Sequence, residues 1–245
     1  MRLNLPTPAC ALAIAAHPDD VEFGAGGTLA KWAAAGCVIN HLICTDGSKG
    51  SWDPADDTVA LVAARRDEQR AAARALGATD AGTVTFLDNV DGELDSSLDQ
   101  RRAVARVVRE VRPDVVLGHD PWRRYRLHPD HRNAGLLAVE GIVAARDPHF
   151  YPDMGIDHWR PSTLLLWEAD DVDHIEDVTA TVDAKLAALL CHASQLRSTM
   201  DIVVGAPDEA EQRVRFDRRV RDRLATFGRR AGVAYAEGFK RIDDL

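Results

Sequence analysis

The chain has 245 residues, of which 46% are hydrophobic and 28% are charged. This length suits a single α/β domain, residues 1–245, with a full hydrophobic core. The formal net charge of −9 argues against broad nucleic-acid binding, which depends on neutralising phosphates. No apolar run approaches the roughly 20 residues that a membrane helix needs, so we expect no membrane partner.

Strand-like apolar runs alternate with helix-like segments along the chain. The predicted strands are 10–16, 38–45, 83–87, 114–118 and 163–169. The predicted helices are 27–36, 59–77, 98–112, 131–146, 178–196 and 208–231. This alternation predicts a Rossmann-like α/β fold, with a mostly parallel sheet and helices on both faces.

Three segments need a separate interpretation. The N-terminus loosely resembles a signal peptide, but two prolines interrupt it; we interpret it as leading into the first strand and expect a cytoplasmic protein. The acidic stretch 168–177 is predicted to be a solvated loop. The tail from about 205 to 245 is predicted to be helical, with a solvated amphipathic helix over its arginine-rich part. The four cysteines form no CxxC pair and are predicted to be buried structural thiols.

Polar residues follow several predicted strands directly. His17-Pro18-Asp19-Asp20 comes after the first strand, and further polar groups follow the next three at 45–47, 88–91 and 118–120. In open α/β sheets, ligands bind beyond the carboxyl ends of the strands. These side chains are therefore expected to gather at one edge of the sheet.

A second histidine cluster lies at "RLHPDHRNAG", residues 126–135, where His128 and His131 stand three apart at the start of a helix. Imidazole and carboxylate are ligands of catalytic zinc, which usually has three protein ligands and a water. The spacing of His17 and Asp20 lets one tight turn present both to a single ion. One histidine of the second cluster would complete the site, and Asp19 would be free for proton transfer.

The stretch "AHPDDVEFGAGGTLAKWAAAG" together with "HPDHRNAG" resembles the PIG-L/LmbE-like family of zinc-dependent N-deacetylases. Smaller similarities are the Arg65-x-x-Glu68 pair, the turn "DGEL" at 91–94 and the segment "KLAALLCHASQ" at 185–195. The resemblance covers about residues 10–200. It implies a small-molecule substrate and a homo-oligomer.

The resemblance also implies roles for individual residues. The implied metal ligands are His17, Asp20 and His131, with zinc as the ion and Fe²⁺ or Co²⁺ as alternatives. Asp19 would be the general base, His128 the general acid or oxyanion stabiliser, and Asp130 the residue that orients His128. The expected substrate-binding residues are Arg65, Asp91, Arg126 and His192.

Three functions are compatible with these residues. The first is a zinc amidohydrolase that removes an N-acyl group, with acetyl expected, from an amino sugar or a small-molecule conjugate. The second is a zinc-dependent hydratase that adds water to an unsaturated carboxylate, which Arg124 and Arg126 would suit. The third is a non-catalytic metal-binding protein, but the intact Asp19 and His128 argue against it, since a structural site needs no base.

The remaining polar residues carry weaker expectations. His41 is predicted to lie in the core or at a sheet edge. His119 could support the site or lie in a strand-end loop, and Glu168 could face the pocket. Surface positions are predicted for His149, His158 and His174.

Overall fold

A computed structural model describes residues 1–245 and contains one eight-stranded sheet. The strands are β1 Arg2–Leu3, β2 Cys10–Ala15, β3 Val38–Thr45, β4 Val84–Asn89, β5 Val115–His119, β6 Thr163–Trp167, β7 His174–Asp177 and β8 Ala236–Asp243. Their order is β1-β7-β8-β6-β5-β2-β3-β4. Only β8 runs antiparallel to its neighbours, β6 and β7. The predicted mostly parallel sheet is confirmed.

Helices cover both faces of this sheet, as predicted. They are α1 Asp20–Ala34, α2 Thr58–Ala75, α3 Leu98–Val111, α4 Pro129–Arg146, α5 Val182–Leu189, α6 Leu196–Met200 and α7 Glu209–Ala231, with 3-10 turns at Pro152–Met154 and Ala193–Gln195. One core joins the sheet to α3 and α4, and a second joins the opposite face to α1, α2 and α5. None of these helices combines the length and hydropathy needed to cross a bilayer.

Helix α1 begins at Asp20, so the prediction that it starts at 27 is wrong. Glycine is a weak helix former, yet the first turns of α1 contain three glycines between 24 and 27. The structure shows why glycines are present. A Cβ at Gly24 would lie 2.5 Å from the Trp167 ring, and one at Gly27 would lie 2.8 Å from Val178. The glycines therefore let α1 pack closely against its neighbours.

Three strands lie where none was predicted. The short β1 lies in the N-terminal segment that was expected only to lead into the first strand. β7 occupies part of the supposed acidic loop, and β8 occupies part of the supposed helical tail. Their charged residues find partners in the tertiary structure: Glu237 of β8 pairs with Lys185 at 2.6 Å. His174 of β7 is fully buried beside Glu176, so its predicted surface position is wrong.

Two further expectations are refined by the structure. The predicted helix 178–196 is broken into α5, a 3-10 turn and the start of α6. All four cysteines are free thiols; Cys37 and Cys44 are buried, whereas Cys10 and Cys191 are half-buried.

Candidate metal centre and active site

Strand and helix ends bring the two histidine motifs together. His17 follows β2, and His128 is the N-cap residue of α4, which carries His131 in its first turn. Because β2 pairs with β5 at the centre of the sheet, the segment after β5 returns to the end of β2. The resulting cavity has a volume of about 540 Å³, and its wall includes His17, Asp19, Asp20, His119, His128 and His131.

Three side chains meet in this cavity in a tight triangle, which we call the metal triad: His17, Asp20 and His131. The Nδ1 atom of His17 lies 3.1 Å from Nε2 of His131. The two carboxylate oxygens of Asp20 lie 3.3 Å from these same nitrogens, one from each. Bonds of 2.0–2.1 Å to a tetrahedral zinc ion give ligand–ligand edges of about 3.3 Å. The donor set and its spacing therefore fit a zinc ion.

The protonation of two members of the triad, His131 and Asp20, suits a cation. Burial lowers the pKa of His131 to about 3, so its ring is neutral and offers a lone pair. Burial alone would raise the pKa of Asp20, but its bonds to His119 and His17 hold it well below its usual range. Asp20 is therefore ionised. The same donors also tolerate Fe²⁺ or Co²⁺, so the geometry does not select one metal.

Two further carboxylates orient the His17 ring. Its Nε2 atom lies 3.1 Å from an Asp130 oxygen and 3.1 Å from an Asp91 oxygen. Burial would lower the pKa of His17, but the bonds to Asp130, Asp20 and Asp91 hold it well above its usual value. Carboxylates in this position fix the orientation of metal-binding imidazoles. Asp91, expected to face the substrate, is itself buried beside the ring.

Asp130 does not have the contact that was expected of it. Its carboxylate accepts bonds from the backbone of Gly92 and Leu94 and reaches His17, because the first turn of α4 directs it inward. His128 instead accepts the backbone N–H of Asp130 at its Nδ1 atom. This bond leaves the proton of a neutral His128 ring on Nε2.

Asp19 sits beside the triad in a strained conformation. Its φ is +100°, a region that residues other than glycine rarely adopt. Burial raises its pKa to about 7, although the Arg65 guanidinium, 3.6 Å away, opposes the shift. Its backbone N–H donates to Oε1 of Gln69 at 3.0 Å, and Gln69 donates in turn to Glu22 at 2.9 Å. A buried amide thus connects the strained backbone to a buried carboxylate.

His192 lies behind this network rather than in the cavity. Its Nε2 atom is 3.1 Å from Glu22, and both side chains are fully buried. His41 contacts the same network through Gln69 and is buried, as predicted. The structure therefore does not bring His192 to the cavity surface, where a substrate-binding residue would have to lie.

The two arginines expected to contact substrate are both engaged by the protein. Arg65 lines the cavity but donates to the backbone oxygens of Gly47 and Pro18, at 2.9 and 2.6 Å. Arg126 pairs with Glu168 and contacts Nδ1 of His131. Arg65 therefore braces the turn that carries Asp19, and Arg126 lies against the outer side of the triad.

Glu168 faces the cavity and gathers cationic groups around it. Arg126 contacts one of its oxygens, while Arg223 and Arg123 lie 3.2 and 3.5 Å from the other. Burial would raise the pKa of Glu168, but Arg126 and the other cations hold it below its usual value. One carboxylate is thus surrounded by three guanidinium groups at the edge of the cavity.

Sequence reasoning left His119 undecided and missed Gln69. His119 stacks on His131 with ring centroids 4.5 Å apart, and its Nε2 atom lies 3.3 Å from Asp20. The Trp167 indole donates to its Nδ1 atom, which leaves the ring proton facing Asp20. Gln69 stands four residues after Arg65 on α2, and this spacing, which places both on one helix face, could have identified it.

Comparison with known proteins agrees with this geometry. The family model described as GlcNAc-PI de-N-acetylase, PIG-L, matches residues 12–142. The diacetylchitobiose deacetylase of Thermococcus kodakarensis is 30% identical over 237 residues, covering 96% of this chain and 83% of its own. A 1D-myo-inositol 2-acetamido-2-deoxy-alpha-D-glucopyranoside deacetylase of Rhodococcus erythropolis is 31% identical, covering 76% of this chain and 80% of its own.

Solved structures include relatives with two different activities. The N,N'-diacetylchitobiose deacetylase of Pyrococcus horikoshii superposes with a TM-score of 0.84 at 31% identity, covering 96% of this chain and 84% of its own. GalB of Pseudomonas putida, a 4-carboxy-2-hydroxymuconate hydratase, superposes with a TM-score of 0.74 at 25% identity, covering 96% and 97%. The fold is therefore shared with both hydrolases and a hydratase.

Proposed function

Because the chain belongs to the GlcNAc-PI de-N-acetylase (PIG-L) family, we propose that it is a zinc-dependent hydrolase that removes the acetyl group from an N-acetylated amino sugar or a small conjugate of one. The observation that carries the proposal is the metal triad beside Asp19 in one cavity. A bound zinc ion supplies Lewis acidity, which acidifies a water molecule and polarises an amide carbonyl.

The residues of the cavity divide the proton transfers between them. Asp19 takes a proton from the water that attacks the amide carbon, so that a C–O bond forms. His128 carries its proton on Nε2 and can donate a hydrogen bond to the oxygen on which negative charge develops. Asp19 then delivers its proton to the nitrogen as the C–N bond breaks. The products are acetate and a free amine.

Arg65 and Gln69 keep Asp19 in place for these steps. Arg65 ties the backbone of Pro18 to that of Gly47, and Gln69 holds the N–H of Asp19. A base at a φ of +100° needs such bonds, because isolated residues leave that region. The strained turn also argues against a purely structural metal site, which requires no positioned base.

The relatives support an amino-sugar substrate. Two of them are deacetylases of diacetylchitobiose and of an acetamido-glucopyranoside linked to inositol. A cavity of about 540 Å³ falls within the range of sites for small organic ligands.

One sheet takes strands from both ends of the chain, which supports a single domain.

A hydratase is the second candidate, favoured by the GalB similarity and by the cations around Glu168. Such an enzyme would bind an unsaturated dicarboxylate and release no amine. The two candidates share the metal triad, so metal binding does not distinguish them. The product distinguishes them.

The test is release of free amine and acetate from N,N'-diacetylchitobiose and methyl N-acetylglucosaminide by zinc-loaded protein. Removal of the metal with a chelator should abolish release, and added zinc should restore it. Zinc-loaded protein that releases no amine, but hydrates an unsaturated dicarboxylate, would contradict the deacetylase and support the hydratase.

A further inference from the structure

A second, smaller chamber adjoins the site cavity and is lined in part by α7. Its volume is about 140 Å³. Phe23, Gly24, Glu168, Arg219 and Arg223 line both spaces, so the chamber adjoins the cavity at these residues. A ligand that extends from the metal triad past them would enter the chamber.

The walls of the chamber are mostly apolar. Phe216, Val220, Leu224 and Phe227 of α7 face Phe23 of α1 across it. The α7 residues recur at helical spacing, which places them on one side of the helix. Phe23 and Phe216 meet edge to face, with ring centroids 6.4 Å apart. This arrangement suits another aromatic ring better than a sugar.

The charged groups of the chamber do not call for a charged ligand in its interior. Lys185 is almost fully buried and donates to Glu237 at 2.6 Å and to the Phe23 carbonyl at 2.8 Å. Glu237 also accepts the backbone N–H groups of Gly27 and Thr28. This pair is satisfied within the protein, and the arginines lie at the opening shared with the cavity.

We propose that the chamber is an apolar subsite that receives an aryl or branched alkyl group of the substrate while the amide lies at the metal triad. The volume supports a group of this size, because an apolar cavity of about 150 Å³ accommodates benzene. The inference rests on the proposed function and narrows its substrate class. The substrate is then an N-acylated amine with one compact apolar substituent.

The apolar substituent can belong to the amine part or to the acyl part of the substrate. Two pairs of substrates distinguish these possibilities. The first pair is methyl and phenyl N-acetylglucosaminide, which differ on the amine side. The second pair is the N-acetyl and N-benzoyl forms of methyl glucosaminide, which differ on the acyl side. In the pair that uses the chamber, kcat/KM should be at least about tenfold higher for the aryl compound, since even one methylene is worth about that much in an apolar pocket.

Two variants of α7 provide the matched comparison. Val220→Phe fills the chamber and should reduce the aryl-to-methyl ratio to about one. Val214→Phe makes the same change on the exposed side of α7 and should leave the ratio unchanged. Should Val220→Phe fail to fold, Phe227→Ala enlarges the chamber at a half-buried position and should shift the preference toward larger aryl groups.

The outcomes separate the two proposals. Ratios near one in both pairs, with the methyl compounds hydrolysed, would overturn the subsite and leave the deacetylase intact. If no compound is hydrolysed, the proposed function fails, and calorimetric titration with phenol still tests the chamber. Phenol should bind to the native protein and to Val214→Phe but not to Val220→Phe; equal binding to all three, or to none, would overturn the subsite.

Discussion

Two buried clusters of the same sheet combine carboxylates with imidazole, and they differ in what surrounds them. The edge cluster consists of Lys31, His174 and Glu176. There the carboxylate of Glu176 accepts bonds from His174 at 2.6 Å, from the Leu5 N–H at 2.7 Å and from Lys31. The Glu176 carboxylate is satisfied by protein donors, and none of the three side chains lines the site cavity.

The metal triad has the opposite arrangement. Two imidazole nitrogens and a carboxylate converge within 3.1–3.3 Å of one another at the wall of an open cavity. These groups are the donor set of a divalent cation, and a cation bound there would displace the proton of His17. Residue type therefore does not distinguish a candidate metal site from a structural ion pair. The two are distinguished by the direction of the lone pairs and by access to a cavity.

The largest expected effect comes from removing one imidazole from each cluster. His131→Ala should lower zinc affinity by more than about a hundredfold and reduce amine release to background. The loss should exceed the roughly 10–100-fold that is usual when a residue that only hydrogen-bonds to a metal ligand is changed. His174→Ala should keep its zinc and lose stability instead. Elemental analysis measures the zinc content of both variants, and thermal unfolding measures their stability. A full complement of zinc in His131→Ala would refute the assignment of His131 as a ligand.

A smaller effect is expected when the base is changed and the metal ligands are kept. Asp19→Asn should lower kcat by about 10²–10⁴-fold, the usual contribution of a general base, with zinc content unchanged. Asp88→Asn is the matched control, since Asp88 also has a positive φ of 59° but lies on β4 away from the cavity. Loss of zinc from Asp19→Asn would show that Asp19 is a ligand rather than the base.

The third prediction concerns Gln69, which accepts the backbone N–H of Asp19. Gln69→Leu removes the acceptor of the Asp19 N–H and should lower kcat by about ten- to a hundredfold, because small misplacements of a reacting group cost that much. KM and zinc affinity should change little. Asn40→Leu removes another buried bridging amide, which joins Thr83 to Ala11. If both variants lose the same activity, the effect of Gln69 is one of stability alone.

The smallest effect is on stability and its pH dependence. Burial would raise the pKa of Glu176, but His174 and Lys31 hold it below its usual value of 4.5. Glu176→Gln should therefore cost roughly 1–3 kcal/mol at neutral pH. Because the folded-state pKa is lowered, this difference should be complete above about pH 4.5 and shrink as the pH falls below it.

Urea unfolding of the native protein and of Glu176→Gln at several pH values measures this difference. Glu93→Gln, at an exposed ion pair with Lys49, serves as the control and should change stability little. A difference between the native protein and Glu176→Gln that stays constant through the acid range would show that the Glu176 charge does not stabilise the edge cluster.

Elements that depend on local composition could be predicted from the sequence, whereas elements that depend on contacts between distant segments could not. The alternation of apolar runs predicted β2, β3 and β5 because a buried parallel strand is apolar by local composition. β8 was missed because its charged residues are neutralised by distant partners such as Lys185. His174 was placed on the surface although its partner Glu176 is only two residues away, because the pairing of β7 with β1 and β8 that buries both residues is not visible in the local sequence.

The α/β alternation, the strand-end position of the polar motifs and the set of residues available to a metal could all be predicted from the sequence. Those properties depend on composition, spacing and the motif resemblance. Tertiary structure alone decided that His17 and His131 approach to 3.1 Å, that Asp130 turns to His17, and that α7 lines an apolar chamber. These contacts join segments far apart in the chain, and they exist only because the pairing of β2 with β5 and the packing of α7 bring those segments together.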